Sequence, residues 1–266
     1  MRRTLYLYSR LLQGKVRKGF LLRLRDSTGE GWGEVAPLPG FSSESLEEAL
    51  EDFRIQSYSL PSVQFGYYTA LLDLCNPVKL LFIPIKIKTK VGHLTVDKAL
   101  QVIKLTPHMR IDVNRKWKLQ EALYFAKHFP CVEYFEEPLL PGEDAHLFPH
   151  PVALDESLRE ESLPSYPHIV AHVIKPTMHG FPLPKVQEGI DFILSSSYET
   201  ELGIYCIAKL TRYLSLPFKP MGLATCHLFE DSLFEETPYI KDNRLYFPKR
   251  WMLKKKKVQV VVDEKI

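Results

Sequence analysis

The sequence predicts an α/β fold, a parallel β/α barrel joined to a smaller α+β unit. Three observations predict it. From residue 83 onward, short apolar segments recur about every twenty residues with helical stretches between them, the rhythm of right-handed βαβ units and a parallel sheet. Six or more such units in series favour a closed barrel over an open sheet. Residues 1–62 lack that rhythm and read as strands followed by helices.

Residues 4–12 and 19–25, TLYLYSRLL and GFLLRLR, read as antiparallel strands, with DSTGEG as the next turn. GWGEVAPLPGFS is rich in Gly and Pro and reads as a loop. SSESLEEALEDF opens on serines, carries Glu early and spaces its apolar residues for a helix. SVQFGYYTALLDLC reads as a second helix. The recurring strand segments are IKIKTK, MRIDVN, VEYFEEP, PVALDES, AHVIKP and DFILSSS. Helices are predicted over 96–105, 118–129 and 203–214. The last stretch, NRLYFPKRWMLKKKKVQVVV, is strand-like again. The smaller unit is therefore expected over 1–62, with 232–266 rejoining it, and the barrel over 63–231.

The chain has 266 residues, 45% of them hydrophobic, enough for a sizeable core. The net charge of +3 is well mixed, so nothing calls for nucleic acid, and the run Lys254 to Lys257 reads as a solvated strand flank. Cys75, Cys131, Cys206 and Cys226 form no CxxC pair. That argues against a disulfide framework or a zinc site and suits a reducing, cytoplasmic compartment. The basic N-terminus lacks the apolar core of a signal peptide, and no window is long enough for a membrane span.

Parallel strands are covered on both faces, so polar residues at their C-terminal ends are the exceptions, and barrels do chemistry at that end. In IPIKIKTKVG, Ile85, Ile87, Thr89 and Val91 alternate with Lys86, Lys88 and Lys90. Later segments end in Asp112 and Asn114, Glu136 and Glu137, Asp155 and Glu156, Lys175, and Ser195 to Ser197. Consecutive carboxylate-ended strands flanked by lysine-ended strands are hard to explain as capping alone. Gathered carboxylates repel and need a cation. A donor set of oxygens without Cys or His selects a hard cation, Mg²⁺. A metal with lysines on opposite sides suits removal of a proton next to a carboxylate.

KTKVG, RIDVN, FEEP, LDES and IKPT, in this order, resemble the muconate-lactonizing subgroup of the enolase superfamily. GWGEVAPLPGFSSES is similar to that family's capping-domain loop, PSVQFGYYTALLDL to the helix leading into its barrel, and SSSYETELG to its seventh-strand motif. Each motif alone is weak; the ordered set spans nearly the whole chain. The resemblance implies an enolase-type modified (β/α)7β TIM barrel with a small α+β capping domain. It places Asp112, Glu136 and Asp155 at the Mg²⁺ ligand positions, Lys90 at the catalytic acid/base, Lys88 at its companion and Lys175 at the opposite lysine. Asn114, Arg110, Ser195 and Ser197 fall where metal-site support and substrate contacts occur. The closest likeness within the subgroup is its menaquinone-pathway dehydratase branch. That implies a small carboxylate substrate, 2-succinyl-6-hydroxy-2,4-cyclohexadiene-1-carboxylate, dehydrated with syn geometry. Oligomeric state is left open.

Other residues carry plainer expectations. Lys86 is expected to face solvent or serve structure. Glu137 and Glu156 are expected to point away from the ligands as caps or ion-pair partners. Trp32 and Phe41 sit in a segment that closes over substrate in the family. One departure stands out. Between LLDLC and KTKVG only NPVKLLFIPIKI remains, too short for a strand and a helical crossover, so the first βα unit is expected to be truncated. The alternatives are N-acylamino acid racemization, dipeptide epimerization or lactonization on the same scaffold, or a non-catalytic eroded barrel.

Overall fold

A computed structural model describes residues 1–104, 106–185 and 187–266. In chain order the strands are β1 (Arg2–Leu12), β2 (Lys15–Arg25), β3 (Glu30–Val35), β4 (Phe82–Pro84), β5 (Thr89–Lys90), β6 (Arg110–Asp112), β7 (Tyr134–Glu136), β8 (Val152–Leu154), β9 (Ile169–Ile174), β10 (Asp191–Leu194), β11 (Tyr239–Lys241), β12 (Arg244–Tyr246) and β13 (Val258–Lys265). The helices are α1 (Leu46–Arg54), α2 (Pro61–Cys75), α3 (Val96–Val102), α4 (Leu119–Ala126), α5 (Pro176–His179) and α6 (Glu201–Tyr213). The helix expected over 96–105 ends at Val102, and Leu105 lies outside the described residues. The chain divides into two compact units: Met1–Ile85 with Lys175–Pro184 and Leu194–Ile266, and Lys86–Ile174 with Lys185–Ile193.

In the first unit, β13, β1, β2 and β3 form an antiparallel sheet in that order. The C-terminal stretch does return to the N-terminal strands, Val262 standing opposite Leu5. Ser45 and Glu48 close a capping box on α1, each side chain bonding the other's backbone N–H. Leu5, Phe20, Leu22, Val35, Phe53 and Val63 share one apolar core beneath α1 and α2.

Here the sequence reading needs one correction. GWGEV is not a loop but strand β3, paired along its length with β2. Its glycines serve close approach rather than turning. A Cβ on Gly31 would lie 2.0 Å from the Ala70 carbonyl oxygen, and one on Gly33 would lie 1.9 Å from that of Gly66. The helix α2 therefore packs backbone against β3 at the spacing that glycine alone permits.

The second unit holds a parallel sheet of order β10-β9-β8-β7-β6-β5. RID, YFE and VAL are buried throughout, as strands covered on both faces must be. Ile111, Phe125, Phe135, Phe148 and Val152 belong to its core. Thr95 caps α3, and Glu121 reaches back to the Lys118 N–H at 2.8 Å at the start of α4.

The alternating stretch IPIKIKTKVG is split between partners. Ile85 makes an isolated parallel bridge to Met221, while only Thr89 and Lys90 pair with β6. Ile87 is 66% exposed, against the simple alternation. No helix lies between α2 and β5 among the described residues, and β4 pairs antiparallel with β12. The first βα unit is thus truncated as the short connection required.

Candidate active site

Register builds the site. Lys90 of β5 pairs with Asp112 of β6, and Asp112 pairs with Glu136 of β7. Residues in one row of a parallel sheet point to the same face. Glu136 pairs in turn with Ala153 of β8, and Asp155 follows two residues on, so it returns to that face one step along the strand. Lys88 stands two residues before Lys90. Its long side chain reaches the row from below: Nζ lies 3.2 Å from Asp112 Oδ2 and is bonded to Glu136 Oε1. Lys90 Nζ approaches the same Asp112 oxygen at 3.7 Å, with about half of its side chain exposed.

Asp112, Glu136 and Asp155 are all fully buried. Burial, with repulsion from Asp112 and Asp155, raises the Glu136 carboxyl well above the ordinary value against the pull of Lys88. Burial opposes the charge on Lys88, but Glu136, Asp112 and Asp155 outweigh it and hold its pKa well above that of an ordinary lysine. The two shifts share one cause, three buried carboxylates packed around one ammonium. Glu136 Oε2 is buried with no hydrogen-bond partner among the described residues. Among those residues no three His, Cys, Asp or Glu side chains converge closely enough to hold a metal ion. The Lys88 ammonium lies against the two central carboxylates instead. An all-oxygen donor set, three buried carboxylates and an unspent carboxylate oxygen fit a hard divalent cation.

The neighbouring residues support this row. Asn114, at φ 50°, donates its N–H to Asp112 Oδ1 at 3.1 Å. Glu137, at φ 44°, points away from the row as expected and accepts from the N–H groups of Asp155 and Ser157 at 2.7 and 2.8 Å and from Ser157 Oγ at 2.7 Å. It thereby fixes the turn that presents Asp155. Arg110, two residues before Asp112, is buried and donates to Glu133 at 2.7 and 2.9 Å. Lys86 bonds the other Glu133 oxygen, which gives it a structural role. Sequence reasoning did not single out Glu133; it precedes β7 and has no motif around it.

Lys175, Ser195 and Ser197 belong to the first unit. Lys175 directly follows β9, at the position that caps the single turn α5. Ser195 Oγ donates to the Gly222 carbonyl at 3.3 Å, and Ser196 Oγ shares a 2.7 Å bond with Thr225 Oγ1. Ser197 Oγ is buried with no hydrogen-bond partner among the described residues. Three further buried charged residues surround these segments. Glu199 accepts from Thr177 Oγ1 and, at 2.6 Å, from the Ser197 N–H. Glu34 accepts from Tyr8 at 2.6 Å and from Thr200 Oγ1 at 2.6 Å. Arg17 donates to the carbonyls of Ala36 and Pro37 at 2.6 and 2.7 Å and to that of Tyr198 at 3.3 Å. For Glu199 the available sequence signal was its place between the serines and α6.

The geometry can be set beside known proteins. A family model, MenC, N-terminal domain, matches residues 3–74. The o-succinylbenzoate synthases of Salmonella dublin and Salmonella typhimurium are each 32% identical over 274 residues, covering 81% of this chain and 85% of theirs. Among solved structures, o-succinylbenzoate synthase from Thermosynechococcus elongatus, complexed with Mg in its active site, has a TM-score of 0.65 at 21% identity, over 87% of this chain and 95% of that one. Muconate lactonizing enzyme from Pseudomonas putida gives 0.70 at 16% identity, over 97% and 96%. A dipeptide epimerase from Enterococcus faecalis gives 0.71 at 14%, over 97% and 99%. These likenesses bear out the expected barrel with its capping domain.

Proposed function

The chain belongs to the o-succinylbenzoate synthase family, and from that premise we propose that it carries out the Mg²⁺-dependent syn dehydration of 2-succinyl-6-hydroxy-2,4-cyclohexadiene-1-carboxylate to 2-succinylbenzoate in menaquinone biosynthesis, a cytoplasmic step. The observation that carries this reading is the row Lys90, Asp112, Glu136, in register across adjacent strands. In this reading residues 1–62 with 232–266 form the capping domain and 63–231 the barrel.

Asp112, Glu136 and Asp155 would hold the ion, with Asn114 bracing Asp112. When bound, Mg²⁺ supplies positive charge that favours the anionic form of the substrate's carboxylate as the neighbouring proton leaves. Lys90 is the base. It takes the proton alpha to the carboxylate. The resulting ammonium then gives that proton to the departing hydroxyl, which leaves as water while the ring becomes aromatic. One group serving both halves of the reaction requires both events on one face, hence syn elimination. Lys88 stays an ammonium: its grip on Asp112 and Glu136 holds it charged and sets the carboxylates in place. Lys175 contributes fixed positive charge toward the anion. Arg110, Ser195 and Ser197 are assigned to substrate binding, Arg110 and Ser195 through their neighbours rather than directly, given their bonds to Glu133 and to the Gly222 carbonyl.

The test is a spectrophotometric assay with the purified protein and the cyclohexadiene substrate, with and without Mg²⁺. Loss of diene absorbance only in the presence of Mg²⁺ is the expected result. No turnover by a folded, Mg²⁺-binding protein would move the reading to racemization or epimerization.

A further inference from the structure

Ser195 and Ser196 spend their hydroxyls on Gly222 and Thr225. Ser197 does not. Its Oγ is buried, with the residue 2% exposed, and has no hydrogen-bond partner among the described residues. A hydroxyl desolvated without a partner costs free energy, and native structures rarely tolerate one unless something else bonds it. What fixes Ser197 is its own amide, held by Glu199 at 2.6 Å. The same carboxylate accepts from Thr177 Oγ1, two residues beyond Lys175.

We infer that Glu199 is a positioning residue for the reaction, a buried tie that fixes the segment carrying Lys175 against the segment carrying Ser197, leaving the Ser197 hydroxyl to bind the substrate. This rests on the proposed dehydration.

Several observations agree. Glu199 and Thr177 are both fully buried. A buried carboxylate is costly to maintain, and a neutral residue could pack the same space more cheaply. Its two oxygens are divided between the two segments, one accepting from Thr177 and the other from Ser197. The segments are short. Thr177 lies in the four-residue turn α5, and Tyr198 sits at φ 60° between Ser197 and Glu199. Arg17 adds a second restraint by donating to the Tyr198 carbonyl at 3.3 Å. Pinning both segments with one rigid acceptor fixes their separation, which is the quantity that orientation in catalysis depends on.

The experiment is steady-state kinetics of Glu199→Gln, Thr177→Val, Thr177→Ser and the Glu199→Gln/Thr177→Val double variant, each with a thermal melt. A Gln offers one acceptor oxygen and one amide donor where Glu199 accepts twice, so Thr177 must turn from donor to acceptor and the charged tie is altered. We expect kcat/KM to fall by about tenfold to a hundredfold in Glu199→Gln and in Thr177→Val, the order that a small misplacement costs. The double variant should fall little further than the worse single variant, since both remove the same tie. Thr177→Ser keeps the hydroxyl and should stay within about twofold of the parent. Should Glu199→Gln lower the melting temperature yet leave kcat and KM of the folded protein unchanged, the residue is structural only and the inference is overturned. Strictly additive losses in the double variant overturn it too. An inactive parent protein would instead sink the proposed reaction, which separates the two failures.

Discussion

Asp112 and Glu136 stand directly opposite each other on adjacent parallel strands, and the Lys88 ammonium lies against both carboxylates. Two buried acids facing each other on neighbouring strands are unfavourable by themselves. A positive charge relieves them, and the chain supplies one in Lys88.

Removing that cation has a defined cost. In Lys88→Met, Asp112 and Glu136 lose their ion-pair partner, and breaking a buried pair costs about 3–5 kcal/mol. Much of the loss should return on adding Mg²⁺, because a ligand that binds only the folded protein stabilises it by mass action. Urea denaturation with and without millimolar Mg²⁺ checks this. A variant as stable as the parent in metal-free buffer would contradict it.

Lys90 and the third carboxylate should separate cleanly in their effects. Lys90→Ala should abolish turnover and leave Mg²⁺ affinity largely intact, since Lys90 is half-exposed and its ammonium stands 3.7 Å from Asp112. Asp155→Asn should weaken Mg²⁺ itself, by about tenfold or more. Calorimetric titration of Mg²⁺ into each variant, beside the activity assay, decides. Substantial activity in Lys90→Ala would hand the base role to Lys88.

The parts legible in the sequence are those where one physical demand dominates. RID, YFE and VAL are buried throughout because both faces of a parallel strand are covered, and each ends at or just before a carboxylate. The residues Ser45 and Glu48 stand at capping-box spacing and form that box. Where two demands produce the same residues, the reading failed. Gly31 and Gly33 look like turn glycines, yet they sit in a strand because α2 passes at backbone contact. Ile87 was misread because its stretch has two different pairing partners rather than one strand register. Of the candidate site, the row Lys90, Asp112 and Glu136 could be read from strand ends. Glu133, Glu199 and Arg17 could not, since their partners are distant in sequence or are backbone groups with no residue signature.

That account of the glycines is itself testable. Gly33→Ala places a Cβ 1.9 Å from the Gly66 carbonyl oxygen, so strand or helix must move. Forcing backbone apart in a packed core costs about 1–3 kcal/mol, occasionally more. Gly29→Ala serves as the control, because a Cβ there meets nothing within 4 Å. Urea midpoints should drop for Gly33→Ala alone. Equal midpoints for the two variants would mean that the contact between α2 and β3 is looser than described.

Glu34 makes stability depend on pH in an unusual direction. Burial lifts its carboxyl from the ordinary 4.5 to about 7, against hydrogen bonds from Thr200 and Tyr8 that favour the charge. The folded pKa lies above the unfolded one, so between those values the native state binds the proton and the unfolded chain does not. Stability contributed by this group is therefore present below pH 4.5 and is lost as pH rises toward 7. A shift of this size corresponds to about 3 kcal/mol. Glu34→Gln cannot titrate. At pH 4 the parent carries a neutral acid at this position and the variant a neutral amide, so the two start from the same charge state. As pH rises to 8 the parent should lose about 3 kcal/mol relative to the variant. Urea denaturation of both proteins at pH 4, 6 and 8 measures that difference directly. A stability difference independent of pH would show that Glu34 titrates in the folded protein as in the unfolded chain, the hydrogen bonds from Tyr8 and Thr200 cancelling the effect of burial.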